Sequence, residues 1–315
     1  MIRRRLPSGD DWYLPRTLRR PAPNHPQITF CGVSTLVITD AETTLIIDGF
    51  FTRPSAARMF LGRIAPNPAA IDAGLSRTGV TRADAVLVAH SHFDHALDSA
   101  VVAERTGALL VGSSSTLRIG RGAGLSTDQL LAVEVGQAMN FGRFTVTMLL
   151  SEHSPGAHFR GFIDHPLAPP ARARDYRMAE CYAILVAHRA APAEPGLVAA
   201  DTTALINASA GFRPGMLTDR TANTAYLGIG TLGKRDTAFM NRYWQETVQT
   251  VGARVVVPIH WDDFTKPATK PLVPMPRLAD DLDRSLRFLR ERAAPDAVQV
   301  RLPRVWEPAD FNPVL

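Results

Sequence analysis

The sequence predicts an α/β fold in which two sheets pack face to face under flanking helices. Three observations carry this expectation. Short apolar, β-branched runs recur along the chain, and each half opens in such runs and closes in helical segments. In the first half a strand, a loop, a helix and a second strand follow in the order of a βαβ unit. The 315 residues are enough for one large domain or two medium ones, and can bury a sizeable core without staples.

The elements follow in order. Residues 1–26 form a basic N-terminal arm with Arg3, Arg4, Arg5, Arg16, Arg19 and Arg20, and the domain proper fills 27–315. The runs 27–40 and 43–51, broken at Asp40–Glu42, predict a hairpin or meander. Residues 54–64 predict a short helix opened by Pro54, and 65–80 a loop with one helical turn. ADAVLVAH predicts a strand buried on both faces. A helix over 97–106 ends at Gly107, a strand covers 108–111, and another helix starts at Ser113. Later strands are expected at 143–150, 181–188, 196–200, 225–229 and 254–259, with helices at 234–251 and 277–293. Leu278, Leu282, Leu286 and Leu289 stand at helical spacing and form a core stripe.

Composition narrows the function. The net charge is +5, but the arginines are scattered. No basic groove with interleaved aromatics stands out, so no clear nucleic-acid partner is expected. No run reaches the length of a membrane span, and Asp10, Asp11 and Pro15 interrupt the start where a signal peptide would be apolar. Two cysteines, Cys31 and Cys181, exclude a disulfide framework and are expected to be small buried residues. The expectation is a cytoplasmic protein acting on a small-molecule substrate, with assembly into a homo-oligomer left open.

The chemistry concentrates in His90-Ser91-His92-Phe93-Asp94-His95, directly after the buried VLVA run. Three imidazoles and a carboxylate in one loop at a strand's carboxyl end are natural ligands for zinc or a similar divalent ion. His90 and His92 can face one point while Asp94 and His95 turn toward another, so the loop can serve two metals. Three more groups follow apolar runs: His153, Asp201 and His260.

HSHFDH resembles the HxHxDH signature of the metallo-β-lactamase superfamily. TFCGVSTLVI with LIIDGFF, SEHS, LVAADT and VVVPIHW resemble, in order, its opening strands and the segments bearing its remaining ligands. The resemblance implies a four-layer αββα sandwich. It also implies a first metal on His90, His92 and His153, a second on Asp94, His95 and His260, and Asp201 bridging both. Two divalent ions are implied, zinc with iron or manganese as alternatives, and a water nucleophile whose proton Asp94 takes up.

Details within the superfamily separate its branches. Residue 92 is His where flavodiiron-type oxidoreductases carry Glu, which disfavours redox chemistry. DHALDS lacks the Gly that follows DH in glyoxalase-II-like thioesterases, homoserine-lactone lactonases and tRNA-maturing nucleases. PIHWDDF and DHALD are similar to the branch of ascorbate-phosphate lactonase and the phospholipase D acting on N-acyl-ethanolamine phospholipids. Hydrolysis of an ester, lactone or phosphodiester follows as the expectation. A nucleic-acid phosphodiesterase and a non-catalytic metal-binding module are the alternatives. Asp48, before Gly49, is read both as a partner orienting a ligand histidine and as a turn residue. Tyr176, Tyr182 and Trp261 are read both as pocket and as core. His158 and His165, in a Pro- and Arg-rich segment 154–180, are read as surface residues first, with substrate contact or replacement of His153 as ligand as the alternatives. That segment is expected to fold over the site as a lid, with Phe159, Phe162 and Leu167 and the cations Arg172, Arg174 and Arg177.

Overall fold

The structure, a computed structural model, describes residues 6–189 and 201–313. The first half builds β1 (Gln27–Gly32), β2 (Thr35–Thr39), β3 (Thr44–Ile47), α1 (Ala56–Leu61), α2 (Pro68–Thr78), β4 (Ala85–Leu87), α3 (Phe93–Ala96), α4 (Ser99–Thr106), β5 (Leu109–Gly112), α5 (Ser114–Gly122) and β6 (Leu130–Ala132). The second half builds β7 (Ala138–Phe141), β8 (Phe144–Ser151), β9 (Cys181–His188), β10 (Thr202–Asn207), β11 (Thr224–Gly228), α6 (Thr237–Trp244), β12 (Val255–Ile259), α7 (Leu282–Ala293), β13 (Gln299–Val300) and β14 (Pro308–Asp310).

Among the described residues the strands form two seven-stranded sheets, ordered β14-β1-β2-β3-β4-β5-β6 and β13-β12-β11-β10-β9-β8-β7. β3 to β6 run parallel, as do β10 to β13, and the hairpins at the start of each sheet are antiparallel. Their inner faces share one core, from Leu36, Ile38 and Leu87 on the first sheet to Ile184, Ile206 and Val257 on the second. A second core lies outside the first sheet, where Ile46, Val86 and Val88 meet Ile71 and Leu75 of α2 and Val102 and Ala103 of α4. This is the expected sandwich of sheets covered by helices.

Some expectations fail for identifiable reasons. Residues 65–80 carry a full helix, α2, where a loop was expected. Pro68 and Gly79 mark its ends: Asn67 accepts from the backbone N–H of Ala69 and Ala70, Pro68 opens the first turn, and Gly79 stops it with φ 71°, while Gly74 lies buried within the helix. Leu278 is 97% exposed and precedes α7, whose true start is Asp281, accepting from the Arg284 N–H. Leu282, Leu286 and Leu289 are buried as expected. The helix expected over 234–251 is α6, capped by Asp236 and continued by a π-helical turn over Gln245–Gln249. The strand expected at 196–200 lies outside the described residues, and β10 begins two positions after it. Residues 6–26 run along the sandwich, with Leu14 buried and its N–H donating to the Leu302 carbonyl. Among the described residues no helix is long and apolar enough to cross a membrane.

Candidate metal centre

β4 ends at Leu87, and the chain stays extended through His92, which stands at the N-cap of α3 with φ −62° and ψ 154°. Asp94 and His95 ride on the helical turn that follows. The change from extended to helical backbone inside six residues aims the first two histidines at one point and the next two groups at another. The structure completes each pair with one distant histidine. His90, His92 and His153 bring their donor atoms within 4.8 Å of one another, and so do Asp94, His95 and His260. The triads adjoin, with the His90 and His95 rings 3.8 Å apart between centroids.

Partners behind the rings fix which nitrogen faces inward. His92 Nε2 donates to the His158 carbonyl at 2.9 Å, which can only accept, so in the neutral ring Nδ1 is the bare donor, 3.1 Å from His90 Nε2. His153 Nδ1 donates to the Ser154 carbonyl at 3.1 Å, leaving Nε2 bare. His95 Nδ1 lies 2.7 Å from Asp48 Oδ2, leaving Nε2 to face His260 Nε2 at 3.3 Å and Asp94 Oδ2 at 3.8 Å. Lone pairs converging at such distances are what a cation satisfies.

The electrostatics of the triads differ. Burial and then the neighbouring imidazoles hold His90 well below the usual histidine value. Burial lowers His92, and burial with His92 takes His153 down to about 3. Burial therefore favours the neutral form of all three rings. For His95 burial opposes protonation, but Asp48 and then Asp94 outweigh it and raise its pKa. For Asp94 burial opposes ionisation, but His95 and His260 outweigh it and keep the carboxylate ionised. The second triad therefore attracts positive charge.

Distant residues brace that triad. Ser34 donates to Asp48 at 2.5 Å and lies 2.9 Å from His95 Nδ1, and Asp48 also accepts from the Ala89 N–H. Asp48 thus holds the His95 ring in place rather than serving only as a turn residue. The His260 N–H donates to Val33 at 2.6 Å. Asp262, two residues on, accepts from the Val33 N–H and from Arg53 at 2.5 Å, both side chains fully buried. His260, Asp48, Val33 and Arg53 all hold positive φ, between 50° and 59°, a strained set that packing must maintain. Gly230 leaves room for the His260 ring: a Cβ there would stand 3.2 Å from Nδ1.

Asp201 does not join. It is exposed and stands at the start of β10, beside the Thr202–His188 pair. The site lies at the other end of β10, past Asn207 and roughly 20 Å along the strand. The expectation mistook the strand's entry for its exit. What β10 delivers to the site is Asn207 and then Ser209, whose Oγ accepts from the Ser154 N–H at 3.0 Å.

The segment 154–180 is part core and part rim. Ile163, Leu167, Ala171, Ala173 and Tyr176 are buried in the outer core, while Arg172, Arg174 and Arg177 are exposed. Its rim passes the site at His158, which offers its carbonyl, and at Phe159, whose ring stands 6.4 Å from that of His92. His165 is exposed. Tyr176, Tyr182 and Trp261 are core residues, and both cysteines are free and buried. Sequence reasoning also missed Phe264, edge-on to His260 at 6.4 Å. It missed Arg235, half-buried, whose Nη1 lies 4.0 Å from where a Cβ on Gly156 would stand.

Residues 28–171 match the model of the metallo-beta-lactamase superfamily. The chain has the metallo-β-lactamase fold, and its first half resembles that superfamily in sequence. A UPF0173 metal-dependent hydrolase of Anaeromyxobacter sp. (strain K) is 31% identical over 134 residues, which are 41% of this chain and 43% of that protein. The chain therefore aligns with less than half the length of that relative. Another of Symbiobacterium thermophilum is 25% identical over 76% of this chain and 85% of its own. Among solved structures, a metallo hydrolase of Ignicoccus hospitalis superposes with a TM-score of 0.52 at 14% identity, over 91% of this chain and 98% of its own. CmlA, a diiron β-hydroxylase of Streptomyces venezuelae, superposes with a TM-score of 0.53 at 13% identity, over 93% of this chain and 55% of its own. The fold alone thus spans hydrolase and oxygenase names.

Proposed function

We propose that the chain is a metal-dependent hydrolase that holds two divalent ions, zinc or else iron or manganese, and cleaves an ester, lactone or phosphodiester of a small, partly apolar molecule. One observation carries the reading: two adjoining triads of donor atoms, in which partners behind His92, His95 and His153 turn the opposite ring nitrogen inward. The metal-dependent hydrolase names of the relatives agree with it. His90, His92 and His153 would hold one ion, and Asp94, His95 and His260 the other. Divalent ions there would supply acidified water and polarise a carbonyl or phosphoryl oxygen.

The protein groups do the rest. Asp94, kept ionised by His95 and His260, accepts a hydrogen bond from the nucleophilic water and directs its proton. Asp48 and the His158 and Ser154 carbonyls keep the imidazoles in their ligating tautomers. Phe159 beside His92 and Phe264 beside His260 offer an apolar wall to each triad. Arg235, beside the chain that leaves His153, suits an anionic group on the substrate. Elemental analysis combined with a panel of lactones, thioesters, phosphomonoesters and phosphodiesters tests the reading. The expected result is bound metal and turnover on one ester, lactone or small phosphodiester class that chelation abolishes. Full metal with no turnover across the panel, or turnover on nucleic acid alone, would overturn it.

A further inference from the structure

We infer that no protein carboxylate bridges the two triads, so that they load unequally: one divalent ion binds tightly, and the second is held firmly only when an external oxyanion spans the gap. The inference rests on the metal-dependent reading and deepens it.

The exit of β10 lies against the chain at His153 and Ser154, beside the first triad. Gly211 packs so closely on the turn at His153 that a Cβ would overlap the Glu152 carbonyl. The residues at this exit are an amide and a hydroxyl. The Asn207 amide is engaged: it donates to the Ser209 and Gly211 carbonyls at 2.9 and 2.8 Å and accepts from Ser151 Oγ at 3.2 Å. Ser209 Oγ accepts from the Ser154 N–H at 3.0 Å. Neither group carries charge. Asp201, the carboxylate expected in this role, stands at the opposite end of the strand.

Among the described residues the six donors of the two triads include a single anion, Asp94, and it belongs to one triad only. Two dications a few ångströms apart repel strongly in a buried site, and an anion shared between them offsets that repulsion. With none supplied by β10, entry of the first ion disfavours the second. An oxyanion with two oxygens, a carboxylate or phosphate, provides what the protein omits, and the substrate class proposed above carries or generates such a group. The site would be completed by the molecule it acts on.

The test is metal binding, read without turnover. Metal-free protein is dialysed against buffered zinc, and bound zinc is counted by elemental analysis with and without inorganic phosphate. One equivalent should bind at least 100-fold more tightly than the second, and phosphate should tighten the second step tenfold or more. Ser209→Asp should draw the two steps together in the absence of phosphate, and Asp201→Ala should superimpose on the wild type. Two equivalents binding in one tight step without phosphate would overturn the inference, as would loss of zinc in Asp201→Ala. The wild-type titration alone decides the matter should Ser209→Asp fail to fold. Zinc binding that survives unchanged in both His92→Ala and His260→Ala would instead overturn the metal-dependent reading itself.

Discussion

The two triads stand ring against ring, yet they draw on different amounts of the molecule. The first is largely local: two of its histidines share one loop, and its backing groups are the carbonyls of His158 and Ser154, neutral and close in the chain to His153. The second gathers Asp94 and His95 from α3, His260 from the end of β12, Asp48 and Ser34 from the first sheet, and the Arg53–Asp262 pair beneath. Only the second carries charge, and the strained backbone of Val33, Asp48, Arg53 and His260 surrounds it. A triad of neutral imidazoles can be assembled by backbone alone. One that concentrates negative charge in the interior needs buried struts, because each carboxylate must be oriented and neutralised.

The largest expected effect breaks the comparison at its charged member. Asp94→Ala removes the one anion among the donors, and should lower turnover by about 10²–10⁴-fold, with loss of the second ion adding to that. Retained turnover on the true substrate would remove Asp94 from the mechanism. Next is the strut. Arg53→Met leaves Asp262 buried without its cation, which typically costs about 3–5 kcal/mol. The double variant Arg53→Met, Asp262→Leu should recover much of that in denaturant unfolding, since the unpaired charge is gone. Equal stability of both variants would show that the pair is not what matters.

A subtler probe acts on one triad alone. Asp48→Asn keeps the shape but takes away the charge behind His95, and should weaken metal binding at the second triad by about 10–100-fold. The first triad, backed by carbonyls, should keep its affinity. An equal loss at both would mean that the triads are one unit, contrary to their separate backing.

How much of this was legible in the sequence follows the same division. The HSHFDH loop carries both aims in its own local conformation, and His153 and His260 end apolar runs that became β8 and β12. Asp201 misled because LVAA before it and TTALIN after it are both apolar and β-branched, so the acid could end one strand or begin another. The hydrogen bonds chose the second, as β10. Ser209 gave no signal, since a serine after a strand is ordinary. Asp48 was half legible, its partner His95 lying 47 residues away. The Arg53–Asp262 strut, 209 residues apart in the chain, has no local pattern to betray it. α2 was hidden by its own punctuation, a Pro and a Gly that mark ends rather than absence of a helix.

The smallest effect concerns the wall on the side of the first triad. Phe159 belongs to the rim of the 154–180 segment, at φ 52° and 41% exposed, with its ring at nearly a right angle to that of His92. A half-exposed aromatic beside a ligand has little to add to the core. On the proposed function it would meet an apolar part of the substrate beside the first triad. Phe159→Ala should therefore leave stability and bound metal unchanged. KM for an apolar substrate should rise by up to about tenfold, with kcat little altered, because such a contact is equal in ground and transition states. A shortened homologue of the substrate should show no change, which separates wall from ligand support. Lost zinc at the first triad would instead give Phe159 the task of fixing the carbonyl of His158, and would place this rim with the struts rather than with the substrate.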